Sequence, residues 1–384
     1  MFYSFTKVLI RLALKLFCSK ISVNDSSYFS YSGPMILACN HPNSFLDAII
    51  IGSQFKQPVH FLARGDAFRK PLVSMILRLL KLIPIYRLSE GREYLALNDA
   101  TFEKCQQVLL NKGIVLIFSE GLCENSWKLR PLKKGTSRIF FTALQNPVIA
   151  NELTVLPIGI NYNSFQHFGK KIIIHIDKPI NINDLLPLTK EAENASRFNL
   201  LLVKKLSDCV LESLQIPEAA GFLLSNLFDN YTTKPSLLQR LKEKLPDVEN
   251  ISALRNINAS FQISKNIFLS IFFIVLLSPF TVMSMIFHYP LYLPLYNFIK
   301  IKTKGTVFFD SVLFGSLLLI YPLYWIIVNM LSIIFIKSLL LKAAIFFMPF
   351  LAWFHLKFKE QLHGVWNYLK LSQVERNQVK EVLH

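Results

Sequence analysis

The 26 residues from Ser311 to Ile336 contain no formally charged side chain. At about 1.5 Å rise per residue, a helix of that length crosses a hydrocarbon core of ~30 Å. An uncharged run also spans Ile267–Phe287, and a third, Ser338–Leu356, carries only Lys342 as a formal charge. Three membrane-embedded segments are therefore expected over residues 265–358. A full crossing by the first would carry Lys300, Lys302 and Lys304 away from the basic N-terminal part, against the tendency of positive loops to stay on one side. Pro279, Pro290 and Pro294 are expected instead to break it into a re-entrant hairpin, which is tolerated where protein buries the broken backbone. The next two segments then form a spanning hairpin, returning Lys357 and Lys359 to the cytosol at the start of a tail over 359–384.

Of the 384 residues, 52% are hydrophobic, and the formal net charge is +17. That balance requires an anionic partner, and the apolar content favours membrane lipids and phosphorylated substrates. No nucleic acid is expected, because the basic residues are interleaved with apolar runs and no recognition motif occurs. Cys18, Cys39, Cys105, Cys123 and Cys209 lie far apart without metal-ligand spacing, so reduced thiols and no metal are expected. In residues 1–30, Lys7, Arg11 and Lys15 form one basic stripe on a helix otherwise rich in Phe, Leu and Val. The pattern fits an amphipathic interfacial helix, and alternatively a basic helix packed on its own domain.

Residues 31–182 alternate strand-like and helix-like patterns. "PMILAC", "VHFLA", "GIVLIF", "LTVLPIGI" and "KIIIHI" are short apolar runs, with helical stretches such as "ATFEKCQQVLLNKG" between some of them. The class implied is α/β, with a largely parallel sheet flanked by helices and a C-terminal α-helical membrane region. Residues 183–264 read as a helical extension and connector. In parallel sheets, ligands bind beyond the carboxyl ends of the strands.

The stretch "ACNHPNSFLDAII" places His41 at such an end. His41 and Asp47 are six apart and could not face each other within one straight helix. Pro42 marks a turn, and "SFLDAIIIGSQF" reads as a helix capped by Asn43 or Ser44, so a helix folding back can bring Asp47 to the imidazole. The alternative is a loop histidine and an acid that merely complements the helix dipole.

Three later segments join these two residues. "LIPIYRLSEG" sets Arg87 after an apolar turn; "FSEG" is followed by Lys133, Lys134 and Gly135; and "VLPIGI" ends a strand at Pro157. On these four blocks, over roughly Gly33–Asp177, the chain resembles the glycerolipid acyltransferase family, which includes glycerol-3-phosphate and 1-acylglycerol-3-phosphate O-acyltransferases. "NHPNSFLD" is similar to its N-H-x-x-x-x-D block, in a subgroup with "HPN" and five residues between His and Asp rather than four. Ser119 stands where that family has proline, and Leu122 and Cys123 where small polar or basic residues follow.

The resemblance implies a membrane-bound O-acyltransferase of phospholipid biosynthesis. The acyl group would pass from acyl-CoA or acyl carrier protein, as co-substrate and with no further cofactor, to a hydroxyl of glycerol-3-phosphate or lysophosphatidic acid. His41 and Asp47 would be catalytic, and Arg87, Glu120, Gly121, Lys133, Lys134 and Asn40 would bind substrate. An imidazole suits the deprotonation of an alcohol, and a carboxylate fixes its tautomer, with the substrate hydroxyl in the place of a triad serine. Ser44 is read as a helix cap, Cys39 and Cys123 as non-catalytic, and Arg64, Arg69 and Lys70 as contacts for donor phosphates. Oxyanion donors are expected near Gly121 or in the helix after His41. The catalytic domain is expected on the cytoplasmic face of the membrane. Acylation of another lysolipid, including a hydroxylated amino-acid lipid, and a non-catalytic lipid-binding membrane protein are the alternatives.

Overall fold

A computed structural model of the chain describes residues 2–87, 91–166, 168–213, 218–227, 237–251, 254, 257–258 and 260–383. Parts of the expected connector over 183–264, and Leu88–Glu90 after Arg87, lie outside the described residues. By internal contacts the chain divides into two units. The first comprises Met1–Arg11, Ser22–Asn161 and Ile173–Glu212; the second comprises Leu12–Ile21, Tyr162–Ile172 and Ser213–His384. The boundaries read from composition, at 182 and 264, differ because a sequence cannot show that short N-terminal and hairpin segments pack with distant helices.

The elements begin with α1 (Phe2–Phe17), β1 (Cys18–Val23), β2 (Met35–Cys39), α2 (Phe45–Gln54), β3 (Val59–Arg64), α3 (Pro71–Leu79) and β4 (Leu82–Ile85). They continue with α4 (Asn98–Leu110), β5 (Ile114–Phe118), α5 (Gly135–Leu144), β6 (Thr154–Tyr162), β7 (Lys170–Ile176) and α6 (Glu191–Cys209). The seven strands form one mixed, mostly parallel sheet in the order β1-β7-β6-β2-β5-β3-β4. The run β6-β2-β5-β3-β4 is parallel, with Cys39 opposite both Phe118 and Ile158. All five residues of β2 are buried, as a strand covered on both faces requires. On one face Ile36, Ala38, Val115, Ile117 and Val155 pack against Cys105 and Leu109 of α4, Phe140 of α5, and Phe198, Leu202 and Leu206 of α6.

Three local expectations change. The helix expected over 1–30 ends at Phe17, and "CSKISV" is an edge strand. Lys7 and Arg11 do not form an outward cationic stripe: Arg11 Nε donates to Ser53 O at 2.6 Å, and Lys7 Nζ donates to Phe55 O. They cap the carbonyls that end α2, where a cation is favoured, and the outward residues are Phe5, Val8, Leu9 and Leu12. Finally, the apolar turn "LIPI" is β4, an edge strand, where Pro84 does not interrupt the ladder. Asn98 holds the chain leaving β4, accepting from Tyr86 N and donating to Tyr86 O, both at 2.9 Å.

α3 is unusual in burying none of its residues. Leu72, Met75, Ile76 and Leu79, at helical spacing, make an exposed apolar face.

The second unit contains α7 (Glu218–Leu227), α8 (Leu237–Glu249), α9 (Ile267–Lys302), α10 (Phe309–Phe335), α11 (Leu339–Phe346), α12 (Met348–Lys370) and α13 (Gln373–Leu383). Among the described residues α9 and α10 are each long and apolar enough to cross a membrane. The re-entrant hairpin expected at Pro279, Pro290 and Pro294 does not form, and α9 is continuous through all three. Each proline removes one backbone bond, a loss that a long helix packed along α12 absorbs. The break falls in the third segment instead: α11 and α12 meet at 71° around Phe347, and Pro349 opens α12 as a first-turn proline. The expected tail is helical as well, since α12 runs on to Lys370. Within this unit the fully buried Lys170 pairs with Asp310 at the start of α10 and donates to Phe165 O at 3.2 Å.

A Cβ on Gly159 in β6 would lie 2.1 Å from the backbone oxygen of Cys209, which closes α6. Gly159→Ala should therefore cost about 1–3 kcal/mol. Thermal unfolding of the purified full-length protein should show a lower midpoint, and an unchanged midpoint would mean that α6 does not press on β6 there.

Candidate active site

β2 delivers the chain to the carboxyl edge of the sheet, and Asn40 fixes the exit. Its amide Nδ2 donates to Ile160 O at 3.1 Å, and Ile160 N donates to its Oδ1 at 2.8 Å. Both amide atoms of this buried side chain are engaged with β6. Asn40, expected to bind substrate, is thus a brace that holds the residue after it.

That residue is His41. Its Nδ1 lies 2.8 Å from Oδ2 of Asp47, and the same oxygen accepts from Asn43 N at 2.8 Å. Asp47 is fully buried at the third position of α2. An acceptor-only carboxylate at Nδ1 puts the ring proton there and leaves the Nε2 lone pair as the base. The ring stacks on Phe118, centroids 3.7 Å apart and planes 6° from parallel. Carboxylate and stack together fix both the rotation and the tilt of the imidazole.

Between His41 and Asp47 the backbone takes an unusual conformation at Ser44. Its φ of 55° and ψ of −149° lie in a region that side chains avoid, at a cost of about 1–3 kcal/mol. Ser44 occupies the capping position, yet its side chain makes no capping bond. Asn43 N goes to Asp47 instead, and Ser44 N donates to Cys123 Sγ at 2.8 Å. Strain at one residue is therefore held by two contacts that also position the acid.

Beyond β5, Glu120 is buried, and both of its carboxylate oxygens accept hydrogen bonds. Oε2 accepts from His41 N at 3.0 Å and from Arg130 Nη2 at 2.9 Å, while Oε1 accepts from Arg130 N at 3.0 Å. Its carboxylate ties the His41 turn to the loop after β5. Gly121 takes φ +71°, and its N–H donates to Phe118 O, so it is a turn residue. A Cβ there would lie 2.8 Å from Lys133 Cγ. With the N–H groups of His41, Asn43, Ser44 and Gly121 engaged in these contacts, the oxyanion donors expected near Gly121 are not that glycine's own. Phe45, first residue of α2, has a backbone N–H without an intrahelical acceptor by position.

Ser119, in the place of the usual proline, uses what proline lacks. Its N–H donates to Cys39 O at 3.0 Å, and its hydroxyl pairs with Thr136 at 2.9 Å. Together these contacts make one rigid loop system around a single basic nitrogen.

Residues 20–161 match the family model described as Acyltransferase. The crystal structure of the 1-acyl-sn-glycerophosphate (LPA) acyltransferase PlsC from Thermotoga maritima is similar over 53% of this chain and 78% of that one, at 18% identity and a TM-score of 0.38. No match was found among curated proteins.

The remaining expected residues are spread along the same edge. Lys133 and Lys134 are exposed just before α5, with Lys133 N held by Ser119 O at 2.7 Å. Arg87 is half-buried after β4, three strands from β2. At ~4.8 Å per strand that is roughly 14 Å between strand ends. Arg64 pairs with Asp66 at the end of β3.

Arg130, Phe118, Cys123 and Asn125, which donates to Pro42 O at 2.8 Å, were not legible as site residues. Only Arg130 gave a signal, as an arginine between the acid Glu120 and the lysines Lys133 and Lys134. The donor atoms of His41, Asp47 and Cys123 lie within 4.8 Å of one another. In this arrangement each already serves a hydrogen bond, His41 with Asp47 and Cys123 with Ser44 N–H. Burial, with Asp47 adding to it, pushes the Cys123 thiol up to about 12, and burial holds Cys39 well above its ordinary value.

Two outcomes follow from these contacts. Arg130→Ala should leave the buried Glu120 carboxylate uncompensated, at about 3–5 kcal/mol. Adding Glu120→Gln should recover much of that loss in thermal unfolding, and additive effects would break the proposed link. At pH 8.5 Cys123 should react with iodoacetamide far more slowly than a free thiol, as read by peptide mass spectrometry. A rate like that of free cysteine would contradict the raised thiol.

Proposed function

We propose that the protein transfers a fatty acyl group from an acyl thioester, acyl-CoA or acyl carrier protein, to a hydroxyl of lysophosphatidic acid or glycerol-3-phosphate. The observation that carries this reading is the 2.8 Å contact of His41 Nδ1 with buried Asp47, which leaves Nε2 as a base at the carboxyl edge of the sheet.

In the proposed reaction Nε2 takes the proton of the acceptor hydroxyl as its oxygen attacks the thioester carbonyl. The tetrahedral intermediate then collapses, the C–S bond breaks, and the imidazolium returns the proton to the leaving sulfur. Ester and thiol are the products, and the enzyme needs no nucleophile of its own. The raised thiol of Cys123 fits that role as bystander. Phosphate on the acceptor would meet Arg87 and the exposed Lys133 and Lys134, the arginine as a bidentate fork and the lysines as point charges.

The exposed apolar face of α3 favours the acceptor that is itself a lipid, since an apolar face of this kind suits a membrane surface. Two helices long and apolar enough to cross a membrane support an integral membrane location. The five free cysteines, four of them buried, support a catalytic unit on the reducing, cytoplasmic side.

The test is an acyl-transfer assay on purified membranes, offering lysophosphatidic acid, glycerol-3-phosphate and unphosphorylated lysolipids with acyl-CoA or acyl carrier protein as donor. His41→Ala should lower turnover about 10²- to 10⁴-fold, the usual worth of a general base. Asp47→Asn should lower it less. Arg87→Ala should raise KM for a phosphorylated acceptor and leave an unphosphorylated one insensitive. Near wild-type turnover by His41→Ala would sink the mechanism, and equal losses for both kinds of acceptor would remove Arg87 from the phosphate site.

A further inference from the structure

The second unit contains a cavity of about 90 Å³ that has no part in the site around His41. Four lysines line it, Lys15, Lys171, Lys357 and Lys359, against one acid, Glu360. Lys171, only 6% exposed, donates to Ser225 O at 3.1 Å and lies 3.6 Å from Glu360, which also pairs with Lys357 at 2.9 Å. One carboxylate is thus shared by two of the four cations. Lys15 and Lys359 have no hydrogen bond or ion pair among the described residues. So many positive charges around a small half-enclosed space repel one another unless an anion joins them.

The lining also has apolar side chains, Ala352, Trp353 and Leu356 of α12 with Phe168. These residues sit where α12 changes character: Met348–Leu356 carries no formal charge, and Lys357, Lys359 and Glu360 follow. A transition from apolar to basic with an exposed tryptophan marks the headgroup level of a bilayer. The floor is already built, because Asn163 accepts from Lys171 N at 2.7 Å and donates to Ser225 Oγ at 3.0 Å. Cationic and apolar side chains together select a ligand that is anionic at one end and hydrocarbon at the other.

We infer that this cavity is a binding site for an anionic phospholipid, with the phosphate of its headgroup held by Lys15, Lys357 and Lys359 and an acyl chain lying along the Trp353 face of α12. The inference stands apart from acyl transfer, and its readout needs no turnover.

The experiment follows thermal unfolding of the full-length protein in a non-ionic detergent while short-chain phosphatidylglycerol, short-chain phosphatidylcholine or inorganic phosphate is added. Phosphatidylglycerol should raise the midpoint saturably, and phosphatidylcholine and inorganic phosphate should not. Lys15→Gln combined with Lys359→Gln should weaken the effect roughly thirtyfold, at about a factor of five or six per lysine near anionic lipid. Lys359→Arg should keep it, as should Lys304→Gln, which alters an exposed lysine elsewhere in the unit. If the double variant unfolds too early to titrate, Lys15→Gln alone, at an exposed position, should still weaken binding severalfold. Equal shifts with phosphatidylcholine, or with inorganic phosphate, would overturn the assignment to an anionic lipid. An undiminished shift in the lysine variants would overturn the site.

Discussion

Everything at the proposed reaction centre depends on one buried oxygen, Oδ2 of Asp47. It accepts from His41 Nδ1 and from Asn43 N, both at 2.8 Å, so the group that selects the histidine tautomer also closes the turn that carries it. A carboxylate in that position could satisfy neither partner if the turn relaxed. Hence the strained backbone of Ser44 persists: two hydrogen bonds, from Ser44 N to Cys123 Sγ and from Asn43 N to Asp47, hold the strained residue and the one before it.

Around this oxygen the sheet supplies rigidity and the loops supply chemistry. Asn40 fastens the exit of β2 to β6, Phe118 at the end of β5 stacks on the imidazole, and Glu120 clamps the His41 backbone through a second buried carboxylate. Glu120 is tolerable in the interior because Arg130 neutralises it with a side-chain and a backbone donor. Arg87, Lys133 and Lys134, which the proposed function assigns to phosphate, lie on the same edge of the sheet. The buried charges of Asp47 and Glu120 serve geometry, as the proposed acyl transfer requires.

Much of this was legible in the sequence because the governing patterns are local. Continuous apolar runs such as Met35–Cys39 and Ile114–Phe118 can be little else than central strands, and uncharged runs such as Ser311–Ile336 form helices of membrane length. The His41–Asp47 contact was legible as a possibility because Pro42 forced a turn between them. What was not legible depended on distant partners. The pairing of Glu120 with Arg130, ten residues on, has no local signal, and Lys7 and Arg11 read as an outward stripe until the carbonyls ending α2 claim them. The prolines of α9 misled for a related reason. A sequence shows where a hydrogen bond is missing but not whether a neighbouring helix makes its loss affordable.

The central claim is that Asp47 holds His41 with its proton on Nδ1 and its lone pair on Nε2. Nitrogen-15 NMR of histidine-labelled full-length protein, in the neutral state of the His41 ring and assigned by comparison with His41→Ala, measures this directly. The account predicts a protonated Nδ1 and an unprotonated Nε2, with that preference lost in Asp47→Asn. A ring protonated on Nε2, or a tautomer indifferent to Asp47→Asn, would contradict it.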